Sequence, residues 1–124
     1  QLGAERIGHG VRVLEDREVT ALAKERGTAF EVCVTSNYQS GVVSELGQHP
    51  LVRMLDEGLN VTINTDDPSI SRITLSNEYH IACADLGLPM EKLKQRIMAA
   101  GQAAFLPEVE RGALVESLKK ELKL

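Results

Sequence analysis

The chain has 124 residues, 43% of them apolar and 26% charged, with a formal net charge of −4. That composition can bury a core in one domain or in a piece of a larger one. The acidic balance and the lack of any basic stretch argue against nucleic acid or an anionic membrane as partner. No apolar run approaches the roughly 18 residues a spanning helix needs, and no basic region followed by an apolar stretch suggests a signal peptide. Cys33 and Cys83 stand far apart inside apolar segments. They read as buried free thiols in a reducing, cytoplasmic setting.

Three short segments carry strand character, each closed by polar turn formers. The first is Arg6 to His9, before Gly10. The second is Phe30 to Thr35, before Ser36 and Asn37. The third is Asn60 to Asn64, running into Thr65-Asp66-Asp67-Pro68. Between them the spacing predicts helices over Leu14 to Arg26, closed by Gly27, and over Pro50 to Glu57, closed by Gly58. After the third strand the pattern becomes all-helical. Leu75 to Leu86 reads as one helix ended by Gly87. Pro89 starts another, with Leu93, Ile97, Ala100, Gly101 and Ala104 at helical spacing, and Pro107 breaks it. Val109 to Leu122 reads as a charged amphipathic tail.

Alternation of strand and helix in units of about 25 to 30 residues is the pattern of a parallel sheet. Three parallel strands make a poor finished domain, because such sheets need both faces covered and leave open edges. A (β/α)8 barrel takes about 250 residues. The expectation is therefore an α/β chain forming the C-terminal part of a (β/α)8 TIM barrel, followed by C-terminal helices. Its start at Gln1, tight against the first strand, fits a barrel whose N-terminal part is absent.

The polar residues gather where the strands end: His9, then Thr35-Ser36-Asn37, then Asp66-Asp67. In a parallel sheet these ends share one edge, where α/β folds place their sites. A histidine and two carboxylates there can bind a divalent metal or manage protons. Taken singly, each has a plainer reading. His9 after Gly8 can turn the chain, Asp-Asp-Pro can cap a helix, and Ser36 and Asn37 can form a loop. Their coincidence on one rim favours function. His49, before Pro50, reads as a helix cap on the opposite side of the unit. His80, inside a helix, reads as packed or exposed rather than as a ligand.

Six stretches, in this order, resemble the adenosine/AMP deaminase family of metal-dependent amidohydrolases. They are Glu5-Arg6-Ile7-Gly8-His9-Gly10, Glu31-Val32-Cys33-Val34-Thr35-Ser36-Asn37, His49-Pro50, Asn64-Thr65-Asp66-Asp67-Pro68, Leu75 with Glu78-Tyr79, and Phe105-Leu106-Pro107-Glu108. The resemblance spans nearly the whole chain and roughly the last third of a family-sized barrel. It implies strands six to eight. It also implies hydrolysis of a purine 6-amino group, with Zn2+ activating the attacking water. By that resemblance Asp66 matches a zinc ligand, and His9 a catalytic histidine that orients the attacking oxygen. Asp67 matches a substrate-binding carboxylate at purine N7, and Ser36 and Asn37 support the rim.

The family's His-x-His pair, its third histidine and its acid glutamate are not in this chain. One aspartate will not hold zinc at useful affinity, so the chain is expected to be inactive without the N-terminal portion. Two departures stand out. Val34 replaces a usual Pro in what reads as a strand, where the change is expected to alter loop stiffness rather than chemistry. Met98 replaces an Asn in a terminal helix away from the rim, where a packing effect is expected. The favoured substrate is a purine nucleoside, adenosine or deoxyadenosine, on the Thr74-to-Tyr79 stretch. Adenine, AMP and aminofutalosine deaminases of the same family remain alternatives. So does a non-catalytic α/β module binding a divalent ion or small ligand through Asp66 and Asp67, although such modules need about five strands.

Overall fold

A computed structural model describes residues 2–124; Gln1 lies outside the described residues. Three strands, β1 (Arg6–Gly8), β2 (Ala29–Val32) and β3 (Asn60–Ile63), form one sheet in the order β1-β2-β3. Both pairings are parallel, with Ile7 opposite Phe30 and Phe30 opposite Val61. Among the described residues each outer strand has a single neighbour, so two edges of the sheet stay open.

A 3-10 turn at Val13–Glu15 precedes helix α1 (Arg17–Arg26). The Asp16 carboxylate accepts from the backbone N–H groups of Glu18 and Val19 at 2.9 and 3.1 Å, a cap of about 1 kcal/mol. Gly27 ends α1 in the left-handed region, at φ 63°. Helix α2 (Val34–Gln39) and a second 3-10 turn (Leu46–Gln48) follow β2, and α3 (Leu51–Asp56) leads into β3. Beyond β3 the chain forms α4 (Pro68–Ser71), α5 (Leu75–Ala84), α6 (Met90–Gln102) and α7 (Glu108–Leu122). Among the described residues no helix is long and apolar enough to cross a membrane.

Strand alternation divides the sheet. Phe30, Val32, Val61 and Ile63 share one face and pack with Leu51, Met54, Leu59, Ala82, Leu88 and Leu93 in a single core. Burying a side chain of the size of Phe30 contributes about 2 to 3 kcal/mol. The other face carries polar groups. Arg6 Nε lies 3.1 Å from Glu31 Oε1, and the Arg6 guanidinium stacks 3.6 Å above the Phe105 ring. At the C-terminus Gly101 lets α7 approach α6 closely: a Cβ there would lie 2.7 Å from Leu118 Cδ1.

The predicted second strand is shorter than its sequence suggests. β2 stops at Val32, and Val34, Thr35, Ser36 and Asn37 belong to α2 rather than to a strand and loop. The reason is tertiary. Glu78, fully buried on α5, accepts from Thr35 N–H at 3.2 Å and from the Thr35 hydroxyl. A distant carboxylate thus satisfies the start of a helix that β-branched residues do not favour by themselves. Val34 is wholly buried at the start of that helix, so its departure from the family pattern falls on helix packing and not, as expected of a strand residue, on loop stiffness. Met98 is buried in α6 as expected. Cys33 is a buried free thiol, whereas Cys83 is only partly buried.

Candidate active site

The carboxyl ends of the three strands hold the candidate residues. His9 follows β1 directly, and its backbone N–H donates to Glu31 O at 2.9 Å, extending the ladder by one rung. Asn64 N–H does the same to Val32 O at 2.8 Å beyond β3. The chain then turns sharply at both places, with φ 59° at His9 and 61° at Asp66. Non-glycine residues take this left-handed region at a cost of about 1 kcal/mol or more, and such strain gathers at functional sites. Gly10 makes the first turn possible: it sits at φ 69°, and a Cβ there would lie 2.6 Å from Phe30 Cδ1.

These turns aim side chains at one another. His9 Nε2 lies 3.6 Å from Asp66 Oδ2. The Ser36 hydroxyl, one turn into α2, donates to the same Asp66 oxygen at 2.8 Å. His9 and Asp66 keep about two-fifths or more of their side-chain surface open, at 42% and 46%. Asp67 is the N-cap of α4, its Oδ1 accepting from Ser69 and Ile70 N–H, each at 3.1 Å. The helix-cap reading of Asp-Asp-Pro therefore holds for Asp67, while the Asp67 Oδ2 atom stays out of the cap.

Behind His9 runs a connection absent from the sequence expectations. Asn37 Nδ2 lies 3.3 Å from His9 Nδ1, and Asn37 Oδ1 lies 3.0 Å from His49 Nε2. His49 Nδ1 in turn accepts from Leu51 N–H at 3.0 Å. His49 does cap α3, as expected. It does not stand apart from the rim: its second nitrogen reaches Asn37, which reaches His9. Burial pushes the His49 imidazole down to about 4. His80 is exposed on α5. Burial, with Asp66 and Glu78 nearby, pushes the Cys33 thiol up to about 12, which makes it a poor nucleophile.

The rim opens onto a hollow of about 470 Å³ lined by His9, Cys33, Asn64, Asp66, Leu75 and Tyr79 among others. A larger hollow of about 700 Å³, around Arg6, Thr28 and Phe105, lies at the other end of the strands and holds none of the candidate groups. The smaller one carries the chemistry. The links from Glu78 to Thr35 and from His49 to Asn37 escaped the sequence reading for one reason: each spans 12 or more residues.

Open parallel edges, one polar face and acid–histidine chemistry at the carboxyl rim define a segment of a (β/α) barrel enzyme fold. The sequence profile described as adenosine deaminase matches residues 1–121. The chain is 41% identical over 118 residues to adenosine deaminase from Escherichia coli, covering 95% of this chain and 35% of that protein. Among solved structures, adenine deaminase from Arthrobacter aurescens matches with a TM-score of 0.90 at 27% identity, over 97% of this chain and 37% of its own. An amidohydrolase from Burkholderia ambifaria, solved with bound Zn, shares the fold with a TM-score of 0.86 at 24% identity, over 96% of this chain and 34% of its own. The chain belongs to the adenosine deaminase family. It spans about a third of the length of the relatives it matches.

Proposed function

We propose that this chain supplies strands six to eight and the C-terminal helices of a zinc-dependent purine deaminase barrel, acting on adenosine or deoxyadenosine. The observation that carries the proposal is the meeting of His9, Ser36 and Asp66 at one rim, with Ser36 Oγ 2.8 Å and His9 Nε2 3.6 Å from Asp66 Oδ2. The adenosine preference draws on the relative from Escherichia coli. The open edges of β1 and β3 are where the N-terminal portion would pair.

The chain's own donors do not complete a zinc site: among the described residues no three His, Cys, Asp or Glu side chains converge. Asp66 would be one ligand, and the rest must come from the N-terminal portion. When bound, the ion supplies Lewis-acid activation of water. In the overall reaction water adds at purine C6 and the 6-amino group leaves as ammonia, giving the 6-oxo product. The His9 ring, held beside Asp66, orients the attacking oxygen and stabilises charge developing on it. Ser36 holds the Asp66 carboxylate by donating to Oδ2. Asp67 Oδ2, which takes no part in the cap, would share one proton with N7 of the bound purine, while Oδ1 stays committed to α4. The free thiols Cys33 and Cys83 favour a cytoplasmic setting.

The test is a chimera in which residues 1–124 replace the matching segment of Escherichia coli adenosine deaminase, assayed on adenosine, adenine and AMP. Adenosine turnover that His9→Ala abolishes is the expected result. A folded chimera that ignores adenosine but deaminates adenine or AMP would overturn the substrate assignment. One inert toward all three would overturn the catalytic reading.

A further inference from the structure

Asn37 is 3% and His49 5% exposed, yet both are polar and neither touches the hollow directly. Their hydrogen bonds have only one consistent assignment. A backbone N–H can only donate, so the bond from Leu51 N–H makes His49 Nδ1 an acceptor. In the neutral ring Nε2 then carries the proton and donates to Asn37 Oδ1, 3.0 Å away. That fixes the amide of Asn37, leaving its Nδ2–H to donate to His9 Nδ1 at 3.3 Å. His9 Nδ1 must therefore be unprotonated, and the proton of the neutral ring sits on Nε2, the atom facing Asp66.

We propose that Asn37, oriented by His49, is a positioning residue that sets the tautomer and ring angle of His9. The inference rests on the catalytic reading of His9 given above. Nothing about Asn37 is loose. Its own N–H donates to Cys33 O at 3.0 Å, and its carbonyl accepts from Val43 N–H at 3.0 Å. The side chain is thus anchored on rigid backbone, with no freedom to swap its amide ends without losing both imidazole bonds. A single backbone amide at the start of α3 dictates, through two side chains, which nitrogen of His9 presents a proton to the reacting atoms. A histidine held in the wrong tautomer loses orders of magnitude in rate even when its geometry is intact.

The experiment uses the active chimera with 15N-histidine in this segment, where three histidines must be assigned. Imidazole 15N shifts are read above the imidazole titration range, alongside kcat and KM. Wild type is expected to show His9 protonated on Nε2. Asn37→Asp keeps size and the bond from His49 but puts an acceptor against His9 Nδ1. It is expected to move the proton to Nδ1, lower kcat at least about 100-fold and change KM about threefold or less, with zinc content unchanged. Should Asn37→Asp not fold, His49→Gln, which keeps a donor toward Asn37, should retain the Nε2 tautomer and more of kcat than His49→Phe. A wild-type His9 protonated on Nδ1, or an Asn37→Asp variant with unchanged tautomer and kcat, overturns the proposal. The tautomer readout needs no turnover, so an inactive chimera with the shift pattern intact would count against the catalytic reading alone.

Discussion

His9 and Asp66 face each other across the carboxyl end of the sheet, 3.6 Å apart, and each holds a left-handed backbone, at φ 59° and 61°. They follow strands that are not neighbours, with β2 between them. Two independent turns therefore converge on one contact. Ladder bonds beyond the strand ends, His9 N–H to Glu31 O and Asn64 N–H to Val32 O, hold the backbone on both sides. Strain kept in place by surrounding structure is what a preorganised site requires.

The strain at His9 has a measurable sign. His9→Gly should be more stable than His9→Ala by about 1 kcal/mol, because glycine takes positive φ without steric cost. Both should lack activity. Chemical denaturation of the two variants in the chimera checks this, and equal midpoints would remove strain from the account.

At Gly10 the same geometry forbids a side chain. A Cβ there would meet Phe30 Cδ1 at 2.6 Å and Ile7 Cγ2 at 3.1 Å, on top of a positive φ. Gly10→Ala should cost about 2 kcal/mol or more. Gly27→Ala, also at positive φ but with nothing near its Cβ, should cost only about 1 kcal/mol. Thermal melts of the pair would contradict the packing argument if the order were reversed.

Asp67 caps α4, and the proposed function gives it a second, separable role at the substrate. Asp67→Ala removes an acceptor from Ser69 and Ile70 N–H and should destabilise by about 1 kcal/mol as well as losing turnover. Asp67→Ser restores a cap but not a carboxylate at N7, so its stability should recover while kcat stays low. Zinc should remain bound in both. Metal loss from either variant would contradict the division of roles between Asp66 and Asp67.

His49 predicts a pH dependence of stability. Its imidazole is held at about 4 in the fold by burial, against about 6.5 in the unfolded chain. Between these values the unfolded state binds more protons, so stability rises with pH. The contribution is complete above about 6.5 and is lost as pH falls toward about 4, worth about 3 kcal/mol in all. Denaturation midpoints across that range should show the slope, and His49→Gln should flatten it. An unchanged slope in His49→Gln would assign the effect to other groups.

Much of this was legible in the residues. The ends of β1 and β3, at Gly8 and Ile63, fall one residue short of the predicted His9 and Asn64, because the turn formers that follow, with Gly10 and Asp66 at positive φ, mark where the chain leaves the sheet. The clustering of His9, Ser36 and Asp66 followed from parallel topology alone. The end of β2 was not legible. Val-Cys-Val-Thr has strand chemistry, and only Glu78, 43 residues beyond Thr35, makes α2 begin there. His49 was half legible: a cap before Pro50 is local, whereas its bond to Asn37 depends on how α2 and α3 lie together.

The most direct test of the central claim is native mass spectrometry of the chimera and its Asp66→Ala variant, counting bound zinc. The account predicts one zinc in the first and none in the second, with adenosine turnover lost together with the metal. An Asp66→Ala protein that keeps its zinc and its turnover would contradict the claim that Asp66, opposite His9, is this chain's contribution to the metal site.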